Sequence, residues 1–125
     1  MGKKYLIDTN VIIDFASGKF PTATQKEVAK IIDENPIISI INKIELLGFK
    51  KVAPQILLFA NQAKIFGLDD DIANFTIQIR KQIKIKLPDA IIAATAIQHD
   101  FILLTSNISD FNNIDLLEVI QPTKL

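Results

Sequence analysis

The chain has 125 residues, of which 49% are hydrophobic and 22% charged, and its 14 basic and 14 acidic residues leave no net charge. This composition excludes an intrinsically disordered chain and a protein that holds nucleic acid by bulk positive charge alone. The absence of cysteine excludes disulfides and thiolate metal sites, and no apolar run reaches the roughly 20 residues of a membrane span. We therefore expect a single domain over 1–125 that is soluble and stays in the cytoplasm.

Short apolar runs alternate with helical periodicities along the whole chain. The runs predict buried strands, and apolar residues that recur every three or four positions predict helices. Strands joined by helical crossovers form a mainly parallel sheet, so we predict the α/β class in three α/β/α layers. The predicted strands cover 4–7, 37–40, 101–105 and 116–120, and the predicted helices cover 11–17, 24–34, 42–50, 54–67, 69–84 and 88–99.

Two of these helices have predicted capping boxes at their starts. In a capping box, a polar side chain at the N-cap and an acid or amide three residues later satisfy free backbone amides of the first turn. Thr24 with Glu27 predicts one such box. Asn42 with Glu45 predicts the other.

Acidic residues lie where predicted strands end or helices begin, at Asp8, Glu45, Asp89 and Asp110. Each has an ordinary structural explanation, as a helix cap, a capping-box member, a first-turn acid or a turn residue. Taken together they predict a shared site, because ligands of parallel sheets bind beyond the carboxyl ends of the strands. Hard cations such as Mg²⁺ prefer carboxylate oxygens, and the fitting reaction is phosphodiester hydrolysis.

Other common enzyme classes lack their signatures. The glycines stand at positions 2, 18, 48 and 67, so they make neither a dinucleotide-binding GxGxxG motif nor a Walker A loop. The chain has no G-x-S-x-G motif, and the single histidine, His99, lies near a predicted helix end rather than beside a nucleophile. The sequence therefore argues against nucleotide folds of those types and against a serine hydrolase.

Four segments resemble the motifs of PIN domains. They are Tyr5-Leu6-Ile7-Asp8-Thr9-Asn10, Asn42-Lys43-Ile44-Glu45-Leu46-Leu47, the stretch 87–96 with Pro88-Asp89-Ala90 before an alanine-rich helix, and 105–111 with its Thr-x-Asn-x-x-Asp-Phe ending. The resemblance covers essentially the whole chain, in order. It implies a Mg²⁺-dependent or Mn²⁺-dependent endoribonuclease that acts on RNA and resembles the toxins of VapBC toxin–antitoxin modules. It also implies a homodimer and a cognate antitoxin whose tail blocks the active site.

The resemblance assigns Asp8, Glu45, Asp89 and Asp110 as catalytic, metal-binding residues. We expect Thr9 and Thr105 to donate hydrogen bonds that orient the carboxylates, with strand-end capping as an equally good explanation of both hydroxyls. Many relatives have an acid where this chain has Asn107, so that residue is assigned as a neutral neighbour that bonds water at the site. Asp110 is then the fourth acid.

Several alternatives remain at this level. The basic residues Arg80, Lys81, Lys84 and Lys86 precede Asp89 and either contact phosphates or form a solvated helix face, with the second explanation favoured. The apolar faces of the helices around 55–66 and 72–83 serve the core, a dimer contact or an antitoxin surface.

Other functions also remain open. A PIN-like module that binds RNA or protein without cutting is the main alternative. A haloacid-dehalogenase phosphatase needs an Asp where this chain has Asn10, and a flap endonuclease needs a much longer chain.

Overall fold

Short parallel strands form the middle layer in the computed structural model, which describes residues 2–125. β1 (Tyr5–Ile7) pairs in parallel with β4 (Ile102–Leu104), which also pairs in parallel with β5 (Val119–Ile120). β2 (Ile37–Ser39) pairs in parallel with β3 (Lys64–Phe66). These pairings make a three-stranded and a two-stranded sheet, and because β2 lies beside β1, the order across the layer is β3, β2, β1, β4, β5.

Helices cover both faces of these strands, which confirms the three-layer α/β prediction. None of the helices within residues 2–125 is long and apolar enough to cross a bilayer. In chain order they are α1 (Thr9–Ala16), α2 (Thr22–Glu34), α3 (Ile40–Leu47), α4 (Pro54–Gln62), α5 (Asp70–Gln82) and α6 (Leu87–Gln98), with 3-10 helices at Ile108–Phe111 and Pro122–Lys124.

Successive strand residues face opposite sides of the sheet and divide the core into two parts. This follows from the two-residue period of a β-strand. Leu6, Ile37 and Leu103 pack on the side of α5 and α6. Their chain neighbours Ile7, Ile38 and Leu104 pack on the other side, with residues of α1 to α4.

Small side chains let α6 lie close against the sheet. Ala90, Ala93, Ala94 and Ala96 are fully buried, as expected for an alanine-rich helix packed on a sheet. A larger side chain at one of these positions would cost about 1–3 kcal/mol through overpacking. The first turn of α6 contains Asp89, whose pKa responds to the charge of Asp8 after β1, so this turn lies near the carboxyl end of that strand.

Both predicted capping boxes are wrong. Pro21 precedes α2 without a side-chain cap, and Thr24 is buried inside the helix instead of starting it. The cap of α3 is Ser39, which forms a reciprocal box with Asn42. Glu45 therefore lies in the second turn of α3, and its side chain is released from any capping role.

Two other element predictions are also wrong in part. The predicted helix over 54–67 ends at Gln62, and β3 follows it because Lys64–Phe66 pairs with β2. The predicted strand over 116–120 keeps only its last two residues. Leu116 has a φ of 70°, in the left-handed region, which ends any extended conformation there.

Candidate active site

Asp8 stands at the junction of β1 and α1. Its backbone N–H donates to the Leu104 carbonyl at 2.9 Å, which continues the strand pairing. Its carboxylate Oδ1 accepts the Thr9 backbone N–H at 2.9 Å and caps α1. The residue is nevertheless only 6% exposed at the carboxyl end of β1, so Asp8 is both a helix cap and a candidate member of a site.

Four donors surround the Asp8 carboxylate. Oδ1 accepts the Thr9 amide and Asn42 Nδ2 at 3.2 Å, while Oδ2 accepts Thr105 Oγ1 at 2.7 Å and Asn10 Nδ2 at 3.0 Å. Two donors thus reach each of the two carboxylate oxygens. The side chain is therefore held in one orientation by two donors from α1, one from α3 and one from the residue that follows β4.

A hydroxyl links Asp8's neighbourhood to Glu45. Thr9 Oγ1 donates to Glu45 Oε1 at 2.7 Å and accepts Asn42 Nδ2 at 3.1 Å. Asn42 and Glu45 are three residues apart on α3, a spacing that places both on one helix face. Thr9 thus orients an acid whose side chain is otherwise exposed to solvent.

The capping box of α3 fixes the direction of the Asn42 amide. Asn42 Oδ1 accepts the Ser39 backbone N–H at 3.0 Å, and Ser39 Oγ accepts the Asn42 N–H at 3.2 Å. The amide oxygen is therefore occupied, and the NH₂ group faces Asp8 and Thr9. Because Asn42 is fully buried, its loss would leave several polar groups without partners.

Thr105 has a comparable position after β4. Its hydroxyl oxygen accepts the Asn107 backbone N–H at 3.1 Å and Asn10 Nδ2 at 3.3 Å, and its hydrogen goes to Asp8. The two explanations offered by the sequence, strand-end capping and carboxylate orientation, are thus both present at this one side chain.

Asp89 lies in the first turn of α6 and is half-buried. Burial raises the pKa of its carboxyl group, and the negative charges of Asp110, Asp8 and Glu45 raise the pKa further, while Lys86 lowers it. All four predicted acids therefore lie within electrostatic reach of one position. Lys86 offsets these charges only in part, and the mutual repulsion of the carboxylates is the main electrostatic feature of the site.

Asp110 and Asn107 differ in their placement. Asp110 is part of the 3-10 helix and lines a cleft of about 460 Å³ together with Asp89. Asn107 precedes that helix, is exposed, and contributes its backbone N–H to Thr105. The carboxylate of Asp110, and not the amide of Asn107, borders this cleft.

The donor set suits a hydrated divalent cation better than a closed cage. Within residues 2–125, no three acidic or histidine side chains are grouped closely enough to ligate one ion together. Mg²⁺ keeps several waters and commonly uses only one or two carboxylates. A group of mutually repelling carboxylates, whose oxygens can bind the ion directly or through water, fits such an ion.

Two members of the hydrogen-bond network were missed as functional residues from the sequence. Asn42 was assigned to a cap and Asn10 only to the opening motif, yet both donate to Asp8. A usable signal existed for Asn42, because an amide three residues before Glu45 shares its helix face. Asn10 also accepts the Ser106 N–H at 3.0 Å and so ties α1 to the loop after β4.

Comparison with known proteins adds to this geometry. The sequence matches the PIN domain family over residues 5–117. The chain belongs to the PIN domain family. Membership supports a nuclease-type hydrolase, and PIN nucleases generally use divalent metal ions. No curated protein sequence matches this PIN domain significantly.

Solved structures with the same fold come from several bacteria. A toxin–antitoxin complex from Klebsiella pneumoniae has a chain 33% identical, with a TM-score of 0.74 over 95% of this PIN domain and 98% of that chain. FitAcB from Neisseria gonorrhoeae is 26% identical, with a TM-score of 0.74 over 97% and 99%. DNA-bound VapBC from Salmonella typhimurium is 23% identical, with a TM-score of 0.76 over 97% and 99%, a likeness of fold.

Proposed function

We propose that this PIN domain is an endoribonuclease that uses Mg²⁺, or Mn²⁺ in its place, to hydrolyse RNA phosphodiester bonds. The observation that supports it is the gathering of four acids: Asp89 and Asp110 line one cleft, and the charges of Asp110, Asp8 and Glu45 add to burial in raising the pKa of Asp89. A cluster of carboxylates that repel one another is arranged for a cation. Asp8, Glu45, Asp89 and Asp110 would hold it, in part through water.

The polar residues around Asp8 and the bound cation have different roles in this proposal. Thr105, Asn10 and Asn42 fix the orientation of Asp8, so that this carboxylate costs no reorganisation during the reaction. When bound, the divalent cation supplies Lewis-acid stabilisation of the charge that develops on the phosphodiester.

Glu45 is the best-placed group for accepting a proton. Thr9 holds Oε1, while Oε2 has no protein partner among residues 2–125 and the side chain is open to solvent. A carboxylate with one fixed and one free oxygen is suited to take a proton from an attacking water. Glu45 is therefore assigned as the general base.

The proposal includes a partner and an assembly. A 33% identical chain belongs to a toxin–antitoxin complex, and we extend that role here, with this chain as the toxin, a cognate antitoxin and a homodimer. A groove between α1, α2 and α4 supports a protein partner, because its lining is mainly apolar and includes Phe15, Ile32 and the exposed Leu58. Co-purification with the product of a short neighbouring reading frame and measurement of mass in solution test these two points.

Cleavage of labelled RNA by the purified protein tests the enzymatic proposal. We expect cleavage with Mg²⁺, none with EDTA, and none by an Asp8→Asn variant. Asp33→Asn is the matched control, since Asp33 is an exposed acid on α2, and it should retain full activity. Equal activity of the wild type and Asp8→Asn would overturn the proposal, and cleavage of DNA alone would overturn its RNA part.

A further inference from the structure

Three cations line the cleft beside the acids. Arg80 comes from the last turn of α5, and Lys84 and Lys86 come from the segment between α5 and α6. They border the same space of about 460 Å³ as Asp89 and Asp110. Basic and acidic side chains thus line one cleft, and the basic residues all precede the acidic ones in the sequence.

None of the three basic side chains lies within ion-pair distance of a carboxylate in the described part of the chain, although Lys86 acts on Asp89 from a greater distance. The ion pairs of residues 2–125 involve only Lys3, which binds Asp100 at 3.0 Å and also Glu118. Lys3, Asp100 and Glu118 come just before β1, β4 and β5. They therefore lie at the amino-terminal ends of these parallel strands, whereas Asp8 lies at the carboxyl end of β1. The cations of the cleft therefore remain available to an anion from outside.

Local helix stability explains only part of this arrangement. Basic residues favour the last turn of a helix, and this accounts for Arg80 and its neighbour Lys81 in α5. Lys84 follows the end of that helix. Lys86 is the N-cap of α6 and makes no side-chain capping bond, although a cation is unfavourable at a helix N-terminus. The fold thus gains nothing evident from placing positive charge at these two positions.

We infer that Arg80, Lys84 and Lys86 form a subsite for a backbone phosphate of RNA next to the phosphodiester that is cleaved. The inference rests on the proposed function and adds the position of the strand relative to the acids. Guanidinium and ammonium groups bind phosphate oxygens without reading base identity. The subsite therefore positions RNA and leaves its sequence unread.

The position of the subsite suits a polyanion that continues past the acid cluster. A single phosphodiester at the carboxylates would be repelled by them until a cation is bound. A second phosphate held by the three basic side chains adds attraction for RNA that does not depend on the metal ion. The chain thus has separate groups for holding the strand and for cleaving it.

Binding of a short, unstructured, fluorescein-labelled RNA at several salt concentrations tests the subsite. A Glu45→Gln background prevents cleavage, and Glu45 is exposed with one hydrogen bond, so the fold is preserved. In this background we expect Arg80→Ala, Lys84→Ala and Lys86→Ala each to weaken binding severalfold. Each should also reduce the slope of log affinity against log salt by about 0.7, the value for one phosphate contact on a single strand.

Lys81→Ala is the matched control, because Lys81 is exposed and neighbours Arg80 but does not line the cleft. It should change neither the affinity nor the slope. An equal loss with Lys81→Ala would overturn the inference, since it would show attraction by general charge. An unchanged slope in all three cleft variants would overturn it too, and would show that the cations only offset the carboxylates.

RNA cleavage and the salt dependence of RNA binding test the nuclease proposal and the phosphate subsite separately. Cleavage of RNA with no slope change in the cleft variants leaves the nuclease proposal standing and removes the subsite. Salt-dependent RNA binding that is lost in the cleft variants, with no cleavage at any divalent concentration, removes the nuclease and keeps the subsite. With Glu45 intact, Lys84→Ala should raise KM and leave kcat unchanged, as for a contact made equally in ground and transition states.

Discussion

The Thr105 hydroxyl donates its hydrogen to Asp8 Oδ2 at 2.7 Å and joins the ends of two adjacent parallel strands. Its oxygen meanwhile accepts the Asn107 amide and Asn10 Nδ2, so the hydrogen has one direction available. A carboxylate held this way keeps its geometry whether or not RNA is present. The relationship makes β4 a positioning element of the site as well as a core strand.

Thr105→Val should damage both stability and activity while preserving shape. Removal of a hydrogen bond to a charged group costs about 2 kcal/mol, and loss of a group that orients a metal ligand costs about 10-fold in activity. Urea unfolding and RNA cleavage rates measure the two effects. Thr95→Val is the control, because the Thr95 hydroxyl is equally buried but donates to the Ile91 carbonyl within α6. An equal loss of activity in Thr95→Val would contradict a specific role for Thr105.

Asn42→Asp should be strongly destabilising although the two side chains have the same shape. It removes the donor to Asp8 and Thr9 and buries a second carboxyl group beside Asp8, at a cost of about 3 kcal/mol or more. Repulsion raises the pKa of the new group, so the loss should grow as pH rises. Thermal unfolding between acidic and neutral pH measures this. Asn74→Asp, at an exposed position of α5, should have almost no effect.

Asp89→Asn should stabilise the metal-free protein at neutral pH. The pKa of Asp89 is raised above its ordinary 3.8, so the folded state holds the proton more tightly than the unfolded chain. Folding stability then falls as pH rises through the interval between those two pKa values. The Tm difference in EDTA between variant and wild type should therefore be positive at pH 7 and disappear below the ordinary value. A variant less stable than the wild type at pH 7 would contradict the electrostatic account.

Asp110→Ala should raise the divalent concentration needed for cleavage without abolishing activity at saturation. Asp110 is exposed and borders the cleft with Asp89, so its loss weakens attraction for the cation and leaves Asp8 oriented. A titration of cleavage rate with Mg²⁺ or Mn²⁺ measures the shift. Asp115→Ala removes an exposed acid that does not line this cleft, and its curve should match the wild type. An unchanged requirement in Asp110→Ala would remove this residue from the site.

Much of the fold was predictable because its signals are local. The apolar run before Asp8 predicts the strand β1. The alanine-rich stretch over 87–98 predicts a helix that packs tightly on a sheet, as α6 does. β3 was not predictable in this way. Lys64–Phe66 directly follows α4, and only its pairing with β2 distinguishes it from a further helical turn.

The acids of the candidate site could be predicted from the sequence, but the hydrogen bonds that orient Asp8 could not. Asp8 and Asp89 stand at element junctions that a single chain reveals. The bonds from Asn42 and Thr105 to Asp8 span 34 and 97 residues, so they appear only when the strands are assembled. Ser39 took the cap assigned to Asn42, because its hydroxyl lies where β2 ends.

Cleavage of RNA as a function of divalent concentration, compared between the wild type and Asp89→Asn, tests the central claim most directly. The account predicts that the wild type cleaves only with Mg²⁺ or Mn²⁺ and gains Tm as the ion is added. Asp89→Asn should begin with the higher Tm in EDTA, gain less from the ion and cleave nothing. Cleavage by the wild type in EDTA, or equal rates for the two proteins, would contradict a catalytic carboxylate cluster.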